Sequence, residues 1–230
     1  MLEGLKEIVC NANLALVDAG LVILTWGNVS GVDRETGVMV IKPSGLPYTE
    51  MTPQSMAVVS LDTGEQVDGE LRPSSDTPIH RELYNAWQTI GGVLHTHSPH
   101  ATAWAQAGRD IPPLGTTHAD FCNGPIPCTA RLTAEEIAAR YEANTGLAIV
   151  RRMDQLAPLH VPACLVAEHG PFVWGADVPS AVTHAVTLET VAQLATETLA
   201  LSPDAPGVSE ALLAKHFSRK HGPNAYYGQG

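Results

Sequence analysis

The spacing of hydrophobic and polar positions divides the chain into short helices and strands. Apolar residues that recur every three or four positions predict helices over 2–18, 78–88, 99–107, 133–144, 179–199 and 209–220. Short runs of aliphatic residues predict strands over 38–41, 57–61, 91–97 and 163–167. The segments 27–31, 67–76 and 109–129 are rich in glycine, proline or polar residues and are predicted to form turns or loops.

Helices and strands intermix along all 230 residues, with no internal repeat and no linker. A sheet is stable when both of its faces are covered, and helices on each face are the natural way to cover it. The pattern therefore predicts an α/β fold, a three-layer α/β/α sandwich in one domain over 1–230. The order of the strands does not follow from the sequence.

Composition narrows the class of protein. With 44% hydrophobic residues the chain can bury a core, which argues against global disorder. A net charge of −11 argues against nucleic-acid binding, which needs a basic surface. No apolar run reaches the roughly 18–20 residues of a membrane span, and the first residues lack the layout of a signal peptide. We therefore expect a cytoplasmic protein that binds neither nucleic acid nor a membrane.

The cysteines also indicate a cytoplasmic protein. Cys10, Cys122, Cys128 and Cys164 are scattered and form no CxxC pair, which argues against a thiolate zinc site or a redox motif. We expect them to be buried free thiols in a reducing compartment.

The ten histidines include a spacing that is typical of metal sites. His95 and His97 are two positions apart in a predicted strand, so their side chains face the same side. His169 follows another predicted strand, and Asp76 lies in a polar loop before a predicted helix. Three histidines and a carboxylate suit zinc or another borderline divalent ion. Each residue also has an ordinary alternative, namely polar alternation on an exposed strand, a loop histidine or a helix cap.

Three small polar loops could bind a phosphate group. They contain Gly27–Asn28, Ser44–Gly45 and Ser74–Ser75, and Lys42 lies close to the second. Backbone amides and hydroxyls in such loops can surround a phosphate, and a lysine can neutralise it. Plain turns are the alternative for each loop. The chain has no GxGxxG, no GxxxxGK[ST] and no GxSxG, so nucleotide binding and an α/β-hydrolase lack support.

Seven segments, in order and at matching spacing, resemble the class II aldolase and epimerase family, and within it the sugar-phosphate 4-epimerases. They are Leu24-Thr-Trp-Gly-Asn-Val-Ser30, Ile41-Lys-Pro-Ser-Gly45, Arg72-Pro-Ser-Ser-Asp-Thr-Pro78, Gly91-Gly-Val-Leu-His-Thr-His-Ser98, Gly115-Thr-Thr-His-Ala-Asp120, His169-Gly-Pro-Phe172, and the region from Lys215-His216 through Arg219-Lys-His-Gly222 to Ala225-Tyr-Tyr-Gly-Gln229. The resemblance covers nearly the whole chain and is far more specific than any single motif.

The resemblance implies a class II aldolase-like domain with a largely antiparallel central sheet. It implies a divalent metal, zinc with manganese or cobalt as alternatives, held by His95, His97 and His169 with Asp76 as a fourth ligand. It implies phosphate contacts from Asn28, Lys42, Ser44, Gly45, Ser74 and Ser75. Asp120 and Tyr227 would transfer protons on opposite faces of the substrate, supported by Thr116, Glu142 and His216. The family forms homotetramers with active sites at subunit interfaces.

The implied substrate is a small sugar phosphate, and the implied reaction interconverts L-ribulose 5-phosphate and D-xylulose 5-phosphate. The hydrogen at C4 is not acidic, because the carbonyl lies at C2. Metal-assisted retro-aldol cleavage of C3–C4, rotation of glycolaldehyde phosphate and re-addition would avoid this problem.

Three alternatives remain open: a class II aldolase acting on a ketose phosphate, an epimerase for another pentulose phosphate, and a non-catalytic binding protein. The resembling aldolases carry glutamate at the position of Asp76, which favours an epimerase here.

Overall fold

Seven short strands hydrogen-bond into one antiparallel sheet in a computed structural model that describes residues 2–223 and 225–227. The strands are β1 (Asn28–Asp33), β2 (Val38–Ile41), β3 (Ala57–Ser60), β4 (Gln66–Asp68), β5 (Gly92–His95), β6 (Ala163–Val166) and β7 (Gly170–Gly175). Their spatial order is β4-β3-β2-β1-β5-β7-β6, and every neighbouring pair is antiparallel. The largely antiparallel sheet that the resemblance implies is therefore confirmed.

The helices are α1 (Leu2–Asp18), α2 (Thr77–Ala86), α3 (Pro99–Gln106), α4 (Thr116–Phe121), α5 (Ala134–Arg152), α6 (Val178–Leu201) and α7 (Glu210–His221). Short 3-10 turns lie at Tyr48–Glu50 and Pro53–Ser55. The predicted capping box of α5 is present, because Thr133 and Glu136 each accept a hydrogen bond from the other's backbone N–H.

Helices cover both faces of the sheet. α1, α3 and α6 pack together on the sheet, and α2 packs with α5. Alternate residues of β1 show the two sides: the Ser30 hydroxyl bonds to His80 and Tyr84 of α2 at 2.7 and 2.9 Å. Gly31 faces α1 and α6, where a Cβ would lie 2.7 Å from Val178 Cγ2. Only glycine permits this close approach, and the predicted three-layer arrangement is confirmed.

The hydrophobic core lies between these layers. Fully buried side chains include Val29, Val40, Leu94 and Val173 from four adjacent strands. The four cysteines are buried and free, as predicted. Within the described residues, no helix has the length and apolar character to cross a membrane.

Five features differ from the predicted elements. The predicted turn at 27–31 lies mostly in β1, a central strand whose pairing with β2 and β5 overrides its glycine and polar residues. The predicted polar loop at 67–76 overlaps edge strand β4, which pairs with β3. α4 lies within the predicted irregular segment 109–129, and β7 was not predicted.

The fifth difference is the end of α5, predicted near Asn144 but found at Arg152. Asparagine and glycine, such as Asn144 and Gly146, are common at the ends of helices. Instead, Gly146 packs against α2, where a Cβ would lie 2.8 Å from Glu82 Cβ. Tertiary packing continues the helix, which is interrupted earlier by non-helical backbone at Arg140.

Candidate active site

The three predicted metal-binding histidines meet at one end of the sheet. β5 ends at His95, β7 begins at Gly170, and the two strands run antiparallel with His95 opposite Phe172. This register brings the residues after β5 next to those before β7. Ring nitrogens of His95, His97 and His169 all lie within 4.8 Å of one another. The HxH spacing and the third histidine therefore converge on one point.

The three imidazoles are held in the neutral form, which carries a lone pair. Burial lowers the pKa of His95 well below its ordinary value, and the neighbouring His169 and His97 lower it further. Burial also lowers the pKa of His97 and of His169, although Asp76 opposes both shifts. The buried Nδ1 of His169 has no hydrogen-bond partner among the residues that the structure describes. Three convergent neutral imidazoles with an unsatisfied nitrogen suit a divalent metal ion.

Asp76 lies beside this group but does not cap its helix. It occupies the position before α2, yet its side chain makes no capping hydrogen bond. Instead, Asp76 Oδ2 accepts a hydrogen bond of 2.7 Å from Asn28 Nδ2. The close group of metal-binding atoms contains the three histidines and not Asp76. The carboxylate therefore faces the site, and its role as a fourth ligand stays a prediction.

Two of the predicted phosphate loops are paired through their backbones. Ser44 N–H donates to the carbonyl of Arg72 at 2.8 Å, and Ser74 N–H donates to the carbonyl of Lys42 at 3.0 Å. Asn28 Nδ2 also donates to Ser74 Oγ at 3.1 Å, which joins the third loop to them. Gly45 has a φ of 70°, and a Cβ there would meet nothing within 4 Å. The loops thus form one rigid, open wall.

Lys42 is a buried cation in this wall. It is 2% exposed, and its Nζ donates to the carbonyls of Thr25 and Pro43 at 3.2 and 3.4 Å rather than to a carboxylate. Nζ also lies 4.9 Å from the centre of the Tyr48 ring. Burial lowers the pKa of Lys42, whereas Asp76 opposes the shift. Since an unpaired buried charge is costly, this ammonium is poised for an anionic ligand.

All ten predicted metal and phosphate residues line one cleft of about 540 Å³. Its lining is Thr25, Trp26, Gly27, Asn28, Lys42, Pro43, Ser44, Gly45, Ser74, Ser75, Asp76, His95, His97 and His169. The volume is in the range of sites for small molecules. Three lining residues were not predicted, namely Thr25, Trp26 and Pro43, and Gly27 was predicted only as part of the Gly27–Asn28 loop. They fall inside the resembling segments 24–30 and 41–45, which was the available signal.

The predicted proton-transfer residues form a second cluster that does not line the cleft. Asp120 Oδ1 accepts from His216 Nδ1 at 3.0 Å and from Arg219 Nε at 3.1 Å, and Oδ2 accepts from Arg219 Nη2 at 2.7 Å. The Tyr227 ring lies 4.2 Å from the Arg219 guanidinium carbon. Partial burial would raise the pKa of Asp120, but the hydrogen bonds from Arg219 and His216 outweigh it and the pKa is lowered. We call these four residues the Asp120 cluster.

The remaining predicted residues lie on two helices. Thr116 is exposed at the start of α4, and Glu142 lies on α5 just after the kink at Arg140. Next to it, the ring of Tyr141 lies 6.4 Å from that of His169. Tyr141 was missed because it carries no motif of its own, and it directly follows the kink at Arg140.

Comparison with known proteins identifies the family. The sequence pattern of the Class II Aldolase and Adducin N-terminal domain matches residues 7–196. The chain belongs to this family. The resemblance drawn from the seven segments is therefore confirmed.

Curated relatives of this family member span its full length. Proteins named L-ribulose-5-phosphate 4-epimerase UlaF, from Salmonella paratyphi A (strain ATCC 9150 / SARB42) and from Salmonella typhi, are each 52% identical over 228 residues. Each alignment covers 99% of this chain and 100% of the relative.

Solved structures share the class II aldolase fold. An L-fuculose 1-phosphate aldolase superposes with a TM-score of 0.79 at 22% identity, covering 94% of this chain and 95% of the other. YgbL from Klebsiella pneumoniae, titled a putative aldolase/epimerase/decarboxylase, superposes at 0.73 with 24% identity, covering 94% and 98%. At these identities the likeness supports the fold alone.

Proposed function

We propose that this protein is a metal-dependent sugar-phosphate 4-epimerase that interconverts L-ribulose 5-phosphate and D-xylulose 5-phosphate. One observation carries the proposal: a single cleft holds three neutral histidines beside a buried, carboxylate-free lysine and two hydroxyl-bearing loops. A substrate with a phosphate at one end and carbonyl and hydroxyl oxygens at the other fits a cleft that has histidines on one side and a lysine with hydroxyl-bearing loops on the other. The name of the Salmonella relatives, 52% identical over nearly the whole chain, supports this substrate.

His95, His97 and His169 would hold the metal ion, with Asp76 as a fourth ligand. Zinc suits three imidazoles and one carboxylate, and manganese or cobalt are the alternatives. When bound, the ion would supply Lewis acidity to the carbonyl half of the substrate and would stabilise negative charge there.

The phosphate end would be held by the opposite wall. Lys42 supplies a cation, Ser44, Ser74 and Ser75 supply hydroxyl donors, and Asn28 and Gly45 complete the wall. A clamp on the phosphate is necessary because glycolaldehyde phosphate must turn over without leaving. Rigid loops suit this role, since they hold one end while the aldehyde rotates.

Asp120 and Tyr227 would move protons at the C4 oxygen. One group removes the C4 hydroxyl proton as C3–C4 breaks. The aldehyde rotates and presents its other face, the bond re-forms, and the other group protonates the new C4 oxygen. The carboxylate of Asp120 suits a base because its lowered pKa keeps it ionised. Thr116, Glu142 and His216 would support these groups.

We propose further that the Asp120 cluster acts in the cleft of a neighbouring copy within a homotetramer. Two features support this arrangement. The residues of the cluster are absent from the lining of their own chain's cleft. Large apolar side chains are exposed in and next to the segment Thr25–Asn28 that lines the cleft, with Trp26 at 52% and Leu24 at 74%. A cytoplasmic location is proposed on separate grounds. The four cysteines are buried free thiols, which are typical of proteins in a reducing compartment.

Mixing two inactive variants tests the shared site. His97→Asn damages the cleft, and Asp120→Asn damages the cluster. If a cleft and its acid–base groups come from different chains, subunits exchanged between the two variants assemble some intact sites and activity returns. If each site is built from one chain, the mixed protein stays inactive.

A substrate panel tests the activity itself. The metal-loaded protein is given L-ribulose 5-phosphate, D-ribulose 5-phosphate and L-fuculose 1-phosphate. The proposal predicts D-xylulose 5-phosphate from the first and little turnover of the others. Accumulation of dihydroxyacetone from the first substrate, or cleavage of the third, would make the protein an aldolase. Binding without turnover would make it a non-catalytic binding protein.

A further inference from the structure

Arg219 contacts both proposed proton-transfer residues. Its Nε and Nη2 donate to the two carboxylate oxygens of Asp120 at 3.1 and 2.7 Å. Its guanidinium carbon lies 4.2 Å from the centre of the Tyr227 ring. Its backbone carbonyl accepts hydrogen bonds from the N–H groups of Tyr226 and Tyr227 at 2.9 and 3.1 Å. One residue thus fixes α4, α7 and the segment around Tyr227 relative to one another.

The other groups around Asp120 cannot replace these contacts. His216 Nδ1 makes a single bond of 3.0 Å to Oδ1, and His221 Nε2 bonds to the backbone carbonyl of Asp120 at 2.8 Å. From α6, His184 packs against Phe121 at 5.7 Å. Lys220 lies on α7 and contributes charge near His184. Among the contacts described, the guanidinium alone joins the carboxylate to the tyrosine.

We propose that Arg219 is a positioning residue that holds Asp120 and Tyr227 as one acid–base unit. A guanidinium has the planar fork that binds both oxygens of a carboxylate and the flat face that stacks on an aromatic ring. It thereby restricts the rotation of the Asp120 carboxylate and the tilt of the Tyr227 ring. Its charge also favours the ionised form of Asp120. The catalytic part of this inference rests on the proposed function.

Kinetics of Arg219→Gln and Arg219→Lys provide the first test. Gln removes both the charge and the fork, so kcat should fall by about 100-fold, the lower range for loss of acid–base catalysis. KM and metal content should be unchanged, since the cleft is untouched. The acid limb of the kcat–pH profile should move to higher pH, because Asp120 loses its charged donor. Lys keeps the charge without the fork, and should restore the pH profile more than it restores kcat.

Arg151→Gln is the matched control. Arg151 Nη2 makes an exposed pair with Glu136 Oε1 at 2.9 Å, and both residues lie on α5, outside the Asp120 cluster. It should keep kcat and the pH profile of the unmodified protein. Normal kcat and an unshifted profile in Arg219→Gln would overturn the proposal. If kcat of Arg219→Gln falls by the predicted factor but its kcat–pH profile does not shift, the arginine merely supports the fold.

A second measurement does not depend on turnover. The protein is labelled with carbon-13 at the aspartate side-chain carboxyls, and the signal that disappears in Asp120→Asn is assigned to Asp120. Arg219→Gln should raise the midpoint of its pH titration, whereas Arg151→Gln should not. An unmoved midpoint would overturn the inference even in an active enzyme. A raised midpoint in a protein without epimerase activity would support the contact and contradict only the proposed function.

Discussion

The Nδ1 atom of His95 lies 2.9 Å from the carbonyl oxygen of Pro171. A carbonyl can only accept, so Nδ1 must carry the proton, and Nε2 is left with the lone pair. The ring also stacks on Phe172, with 4.2 Å between centroids and 15° between planes. Tautomer and orientation are therefore set by β7 before any ligand binds, as is common for metal-binding histidines.

Replacing one of the three histidines His95, His97 and His169 should lower metal occupancy. We expect His97→Asn to bind less zinc than the unmodified protein, because two fixed imidazoles hold an ion more weakly than three. Elemental analysis of purified protein measures this directly. His160→Asn changes an exposed histidine that packs on Phe217 and should keep full occupancy. Full occupancy in His97→Asn would remove this residue from the ligand set.

Lys42→Met should weaken substrate binding more than catalysis. Loss of a charged hydrogen bond to the phosphate is expected to raise KM roughly 10- to 100-fold, with a smaller change in kcat. Lys6→Met is the control, since Lys6 is a buried lysine that pairs with Asp68 at 2.7 Å outside the cleft. An unchanged KM in Lys42→Met would contradict the phosphate assignment.

Asp120→Asn and Tyr227→Phe should each reduce turnover by roughly 10²- to 10⁴-fold, the range for removal of a general acid or base. Metal content should stay constant, because neither residue lines the cleft of its own chain. The neighbouring Tyr226→Phe removes an equivalent hydroxyl and should have little effect. Epimerisation at a normal rate by both Asp120→Asn and Tyr227→Phe would refute their roles.

His80 should make stability depend on pH. It is fully buried with Nδ1 bonded to Ser30, and burial lowers its pKa from 6.5 to about 3. Below pH 6.5 the unfolded chain binds a proton that the native protein excludes. Stability should therefore decrease as pH falls from about 6.5 toward 3, by about 1.4 kcal/mol per pH unit from this residue.

Urea unfolding of metal-free protein at several pH values checks this effect. His80→Asn lowers overall stability but carries an amide that does not titrate. The slope of unfolding free energy against pH should be shallower in this variant. Equal slopes in the two proteins would show that His80 does not titrate as described.

The sequence predicted most of the cleft because its residues lie in short, contiguous motifs. His95 ends β5 and His97 follows two residues later, and the resembling segments include every residue of the lining. The fold class and the long helices also followed from hydrophobic spacing. Strand β1 did not, since Asn28, Ser30 and Gly31 have weak strand propensity and are ordered by neighbours on both sides.

The contacts within the Asp120 cluster could not be predicted from spacing. Asp120 and Arg219 are 99 residues apart, and only the packing of α4 against α7 brings them together. The bend before Tyr141 depends likewise on tertiary structure, because nothing in the local sequence specifies non-helical backbone at Arg140.

The central claim is that one cleft inverts C4 of a pentulose phosphate without releasing its fragments. A mixture of L-ribulose 5-phosphate labelled with carbon-13 at both C3 and C4 and an excess of unlabelled substrate, incubated with the zinc-loaded protein, tests it in one NMR experiment. We predict D-xylulose 5-phosphate in which the two labelled carbons remain bonded, with no free fragments. Free dihydroxyacetone and glycolaldehyde phosphate, or unchanged substrate, would contradict the claim.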